Sequence, residues 1–116
     1  MNKVIEKIFK GFKVDNVEIP VEFLVYKGKS TTYITYFREN TDTTLSGDDE
    51  LINYVNYYDF HIYSKENYKK IVQKLKKILK ENDFIWQPSR SSADMFEADT
   101  GYYHIVLNFA IINKEE

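Results

Sequence analysis

His61 and His104 are the only histidines among 116 residues, and so the only side chains whose ordinary pKa allows proton exchange near neutrality. Each stands near acids. Asp59 precedes His61 by two positions, which puts both side chains on one face of an extended strand. Glu97 and Asp99 precede His104. If neighbouring strands brought these groups together, two imidazoles and several carboxylates would form an oxygen-rich divalent-metal site. A simpler reading is preferred, because neither histidine carries a complete ligand or triad spacing, and a polar residue on a solvent or interface face of a strand needs no ligand. The four glycines are scattered singly, so no phosphate loop is present, and no serine sits in a nucleophile elbow. Arg90-Ser91-Ser92 reads as a loop. With no cysteine, there is no thiolate metal site and no disulfide framework. The expectation is a protein without enzymatic activity, bound metal or cofactor.

Charge offers a second kind of chemistry. The net charge of -2 says little, because the two signs are segregated along the chain. Glu39 to Glu50 holds five acids, no base and one large apolar residue, and reads as a loop whose Asp42, Asp48, Asp49 and Glu50 lack compensating bases. Between Lys65 and Glu81 there are seven lysines against two glutamates. Such a face can bind nucleic acid, but it has no arginine and no interleaved aromatic residue to stack on bases, so a solvated or interface face is the plainer expectation. Aromatic residues say more. Ten tyrosines and eight phenylalanines exceed what one small core absorbs, and tyrosine is enriched where protein surfaces meet. Tyr57, Tyr63 and Tyr102, with Lys69, Lys76 and Lys80, are the candidate subunit-interface residues.

These side chains need elements to position them. A chain of this length fits one domain spanning residues 1–116, with enough buried surface for one core. Val4, Ile5, Ile8, Phe9 and Phe12 recur at helical spacing, which predicts an amphipathic helix over residues 2–10. After Pro20, "VEFLVY" and "TTYITYF" are β-rich runs around "KGKS", predicting two strands joined as a hairpin. From Asn53 to Tyr63 the pattern alternates. Tyr54, Asn56, Tyr58, Phe60 and Ile62 share one face, of which the second half reads as core. Near Ser64, a good helix cap, the apolar period lengthens, and Tyr68, Ile71, Val72, Leu75, Ile78 and Leu79 fall on one stripe. Asn82 is a plausible left-handed end to that helix. "FIWQP", "DMFEADTG" and "YYHIVLNFAII" then read as strands. The predicted fold is α+β: a mostly antiparallel sheet with an N-terminal and a central amphipathic helix on one face. The lysines in "MNKVIEKIFKGF" interrupt any signal-peptide core, and no run approaches a membrane span, so a soluble intracellular protein is expected.

The order of "FLVYKGKSTTYITYF", an acidic "DDE", "YDFHIYSKENYKKIVQKLKKILKENDF" and "EADTGYYHIVLNFAI" resembles the tail terminator (tail-completion, head-tail joining) proteins of long-tailed phages and Gram-positive prophages. In that family an aromatic strand ending in Tyr-Ser-Lys leads into a basic helix, a Gly-Phe pair ends the helix, and an acidic Asp-x-Gly-x-Tyr-His segment opens the last strand. The resemblance runs from about Phe23 to Phe109. It departs at Asn82-Asp83-Phe84, where the family pattern has glycine before the phenylalanine. The resemblance implies a structural protein of the tail or neck of the virion, made in the bacterial host cytoplasm. It implies a ring, commonly of six subunits, that caps the tail tube and contacts the tube protein and a head-completion or neck protein. DNA would be passing cargo, no membrane would be involved, and the acids from Asp42 to Glu50 would line or rim the conduit. Two other readings stay open: another neck or tail-tube component, or a monomeric inhibitor- or immunity-type module whose acidic loop fills a basic cleft.

Overall fold

The computed structural model describes residues 2–45 and 52–114. It is an α+β fold of two helices and a mostly antiparallel sheet. Helix α1 (Asn2–Ile8) is followed by a small hairpin, β1 (Lys13–Val14) and β2 (Val17–Glu18), then by β3 (Val21–Phe23), β4 (Thr32–Leu45) and β5 (Ile52–Ser64). Helix α2 (Lys69–Glu81), β6 (Ile85–Trp86), a 3-10 turn at Pro88–Arg90, β7 (Met95–Glu97) and β8 (Tyr102–Lys114) complete the chain. The large sheet runs β3-β4-β5-β8-β6, with β7 also paired to β8.

Side-chain alternation decides which face the helices cover. Tyr58, Phe60 and Ile62 of β5 lie level with Phe109, Leu107 and Ile105 of β8, and Ile34 and Tyr36 of β4 extend the same apolar surface. Onto it pack Ile71, Leu75 and Leu79 from α2 and Ile5, Phe9 and Phe12 from the N-terminal segment. Leu75, Leu79, Phe60 and Ile5 are fully buried, each removal from water stabilising the fold by about 1.5–3 kcal/mol. Tyr68 is only half-buried. The opposite face of the sheet has no helix among the described residues.

Several local expectations are corrected. The runs after Pro20 do not form a hairpin, because β3 pairs with β4 in parallel. Leu24 takes a left-handed conformation (φ 64°) that turns the chain out of the sheet, and the return segment is tied by the Tyr26 hydroxyl accepting from the Ser30 amide at 2.8 Å. The predicted loop at Glu39 is strand as far as Leu45. A bulge between Arg38 and Asn40 shifts the register, and the β-branched Thr41 and Thr43 help to continue the pairing with β5. Ser64 does not cap α2. Its pairing between Thr32 and Tyr103 keeps it in the sheet, where its hydroxyl accepts from the Glu66 amide, and the helix starts five residues later. The left-handed residue after α2 is Asp83 (φ 69°), not Asn82 (φ -113°). The Phe84 amide donates back to Leu79 and the Asp83 amide to Lys80, closing the helix end around Asp83. The β1–β2 hairpin was not anticipated. Its Asp15-Asn16 pair, both at positive φ, forms the mirror-image turn that two-residue hairpins favour.

Candidate functional site

The helix-free face carries a row of rings. Register sets Tyr33 of β4 opposite Tyr63 of β5, and Tyr63 opposite His104 of β8. Neighbouring strands are about 4.8 Å apart, which suits ring stacking, so side chains in register form a ladder. Tyr26, Tyr33, Tyr63 and His104 stack in that order, with centroid separations of 4.5, 4.9 and 4.0 Å and interplanar angles of 27°, 22° and 20°. Tyr102 meets Tyr33 and Tyr63 edge-on, and Lys65 lies 5.1 Å over the Tyr102 ring. Because the rings turn their faces to one another, those faces are used up within the protein. The row is therefore a poor platform for stacking nucleic-acid bases, which need an open ring face. Burial raises the Tyr33 and Tyr63 pKa values, with Tyr102 adding to the first and Glu97 to both, so these hydroxyls stay protonated.

The two histidines meet in this row. His61 Nδ1 lies 3.0 Å from His104 Nε2, and Glu97 Oε2 lies 3.5 Å from His104 Nδ1. The carboxylate favours the His104 proton on Nδ1, so His61 Nδ1–H donates to His104 Nε2, and His61 Nε2 is left buried with no partner. Both pKa values are lowered. Burial is the main cause for each; the His104 charge adds to the effect at His61, and Asp59 and Glu97 oppose it at His61 and His104 respectively. Asp59 accepts from Asn108 Nδ2 at 2.7 Å instead of approaching the imidazoles, and Asp99 is exposed. Among the described residues no group of three or more histidines and carboxylates is placed to hold a metal.

Further along the same face lies a polar knot. Asn108 is completely buried although its neighbours in the strand pattern face outward, because the segment after β6 folds over it. Its amide donates to Asp59 Oδ1 and to Glu39 Oε1 at 3.1 Å, while Arg90 grips both Glu39 oxygens at 2.9 and 3.1 Å and lies 3.8 Å over the Tyr57 ring. Ser91 and Ser92 place their hydroxyls to accept from the β8 amides of Asn108 and Val106, filling the gap between β6 and β7. This knot fixes where β7 begins.

The sheet's two edges are the third feature. On the β3 side Phe23, Leu24 and Val25 are exposed in succession; on the other side Ile85, Trp86, Met95 and Phe96 are exposed. Neither outer edge has a strand partner among the described residues. β7 is held in place by the Tyr68 hydroxyl donating to Asp94 and by Phe96 packing 4.9 Å from Tyr103; burial, and then the hydrogen bond to Asp94, raise the Tyr68 pKa. Apolar side chains aligned along an unpaired, preordered edge are the usual raw material of strand-edge association.

The structure brings Tyr63 and Tyr102 together in the ring row, and sets Tyr57 apart from them beneath Arg90. All three are half-buried. Lys69 and Lys80 are exposed on α2, whereas Lys76 sits 3.6 Å over the Trp86 ring and so covers β6. Asp42 is exposed on β4 opposite Val55, in a strand and not in a loop; Asp48, Asp49 and Glu50 lie outside the described residues. Sequence reasoning missed Tyr26, Tyr33, the Asn108 knot and both apolar edges. One signal was available: an asparagine inside "IVLNFAII" must satisfy its amide somewhere. No helix among the described residues is long and apolar enough to cross a membrane. Comparison with protein-family models and with curated proteins finds no match to this chain.

Proposed function

We propose that this chain is a structural subunit of a ring that ends the tail tube of a long-tailed phage or prophage and receives the filled head. The observation that carries the reading is the pair of unlike, apolar, unpaired edges on one sheet, Phe23 with the Leu24–Val25 turn that follows it on one side and Ile85, Trp86, Met95 and Phe96 on the other. Two different edges on one subunit favour head-to-tail association, which gives a ring when the rotation between subunits closes. The ring row and the Asn108 knot add rigidity across the sheet, so that the two edges hold a fixed angle. The imidazole pair and its carboxylate are packing elements in this reading and carry no reaction. Tail tube and neck proteins are the neighbours above and below the ring, and DNA passes through it. The test is the mass of the purified protein in solution, followed by negative-stain imaging. A closed ring with a central opening is the expected result. A monomer at every concentration up to about a millimolar would overturn it.

A further inference from the structure

Beside the β3 edge runs an open groove of about 740 Å³ lined by Phe23, Leu24, Phe37 and Tyr58 and by the polar Asn2, Lys3, Arg38 and Asn56, with no carboxylate in its lining. Neither cation has a salt-bridge partner among the described residues. At the other edge of the same sheet, β7 presents Met95 and Phe96, 40% and 57% exposed, within the sequence Asp94-Met95-Phe96-Glu97-Ala98-Asp99. One edge is a partly apolar hollow with positive charge, and the other an apolar projection with negative charge. Along the strands they are offset: Phe23 is level with Leu107 of β8 and Phe96 with Tyr103, four residues or about 13 Å apart. β3 pairs with β4 at Ile34 to Tyr36, level with Phe60 to Ile62 of β5 and Ile105 to Leu107 of β8, while β7 pairs with β8 at Tyr102 to His104. A second copy set beside the first and displaced along the strands by that amount brings its β7 to the groove.

We propose that Phe96 of one copy docks into the Phe23–Leu24–Phe37 groove of the next, with Lys3 and Arg38 facing the acids around β7. This inference rests on the ring reading and names the contact that would build it. The charge match commits the groove to a second copy of this chain: a hollow whose cations are unpaired among the described residues suits an exposed aromatic flanked by Asp94, Glu97 and Asp99. The left-handed turn at Leu24 supports the assignment, since a bulky residue held at φ 64° is strained, and here the strain turns Leu24 outward beside the groove. The contact is heterologous, because hollow and projection are different surfaces.

That asymmetry supplies the test. Phe96→Asp removes the projection and leaves the groove; Leu24→Asp blocks the groove and leaves the projection. Leu24 is exposed and aspartate tolerates the left-handed conformation better than leucine, so Leu24→Asp is expected to melt like the parent. Phe96→Asp also gives up the contact with Tyr103, so a charge exchange that keeps that contact is read beside it. In sedimentation experiments on the full chain, each variant alone should lose assembly, with the dissociation constant raised about thirtyfold or more, the scale of a central anchor residue. An equimolar mixture of the two should form a heterodimer and nothing larger, because one intact hollow and one intact projection remain. Reversing charge at both sides, Arg38→Glu with Asp99→Arg, should restore part of the assembly that Arg38→Glu alone removes. If the parent forms rings and both variants form them equally well, the docking contact is wrong while the ring reading survives. If the parent is monomeric, both fall. Monomeric variants whose mixture also stays monomeric would exclude this contact in favour of a symmetric one.

Discussion

The meeting of His61 and His104 is a structural device with a pH signature. Each imidazole is packed among rings, with Phe37 stacked 5.4 Å from His61 and Tyr63 4.0 Å from His104, so neither gains a charge without losing water. An added proton has one free nitrogen to occupy, His61 Nε2, which is buried without a partner. Both histidines are accordingly held below the usual range, mainly by burial. The unfolded chain, whose histidines titrate near 6.5, then binds protons that the folded chain refuses. Stability contributed by this pair is fully present above about pH 6.5 and is lost as pH falls through that value towards the folded pKa values. The melting temperature should be flat from pH 8 to 7 and should drop between about pH 6.5 and 5, before most carboxylates titrate. His61→Gln with His104→Gln should flatten that drop. An unchanged slope in the double variant would assign it to other groups.

At the scale of elements, what the sequence revealed was whatever depends on period. The apolar stripe of α2, the alternation in β5 and the core end of β8 are local patterns, and all three elements are found, with Ile71, Leu75 and Leu79 of the stripe buried and Tyr68, Val72 and Ile78 half-buried. Replacing Leu75, fully buried between α2 and the sheet, by alanine should cost about 2–5 kcal/mol in denaturant unfolding. A loss below about half a kcal/mol would remove that stripe from the core. What escaped the sequence depends on partners distant along the chain. Glu39 to Leu45 looks like a loop because it is polar on both faces, and it becomes strand only because β5 lies beside it. The β3–β4 pair reads as a hairpin until the left-handed Leu24 reverses the chain. Ser64 looks like a helix cap but is claimed by two neighbouring strands. The same limit applied to the site: the histidines were visible as residues, whereas the ring row that joins them depends on register. Asp83 gives this comparison a direct test. It holds the left-handed position before Phe84 that glycine fills most easily, so Asp83→Gly should stabilise the fold by about 0.5–1 kcal/mol, and Asn82→Gly, at an ordinary negative φ, should not. A stabilisation from Asn82→Gly of equal size would mean that the helix ends one residue earlier than described.

For the whole molecule, the arrangement of charge decides between two uses of the acids from Asp42 to Glu50. Asp42 is fixed on β4 and exposed, and adds a little to the raised pKa that Arg90 owes mainly to its hydrogen bond with Glu39. In the ring reading these acids repel phosphate and let DNA slide past; in an adhesive reading they pair with lysines of the adjacent subunit, for which Lys69 and Lys80 are the exposed candidates on α2. Lys76 is a weaker candidate because it is engaged over Trp86. The combined change Asp42→Asn, Asp48→Asn, Asp49→Asn and Glu50→Gln separates these uses. If the acids rim a conduit, the variant should fold and assemble as the parent does, with a melting temperature unchanged within about 2 °C, yet bind double-stranded DNA where the parent does not, and lose that binding steeply as salt rises. If they pair with lysines, assembly itself should weaken, and raised salt should weaken the parent in the same way. The docking of Phe96 into the neighbouring groove favours the first outcome, since an interface anchored on apolar side chains has little need of a second, screened set of ion pairs. Complementation of a phage that lacks its terminator, scored for infectious particles and for tail length, extends the test to the biological role. Normal tails with fewer infectious particles would place the acids in DNA passage, and tails of uncontrolled length would place them in the assembly of the cap.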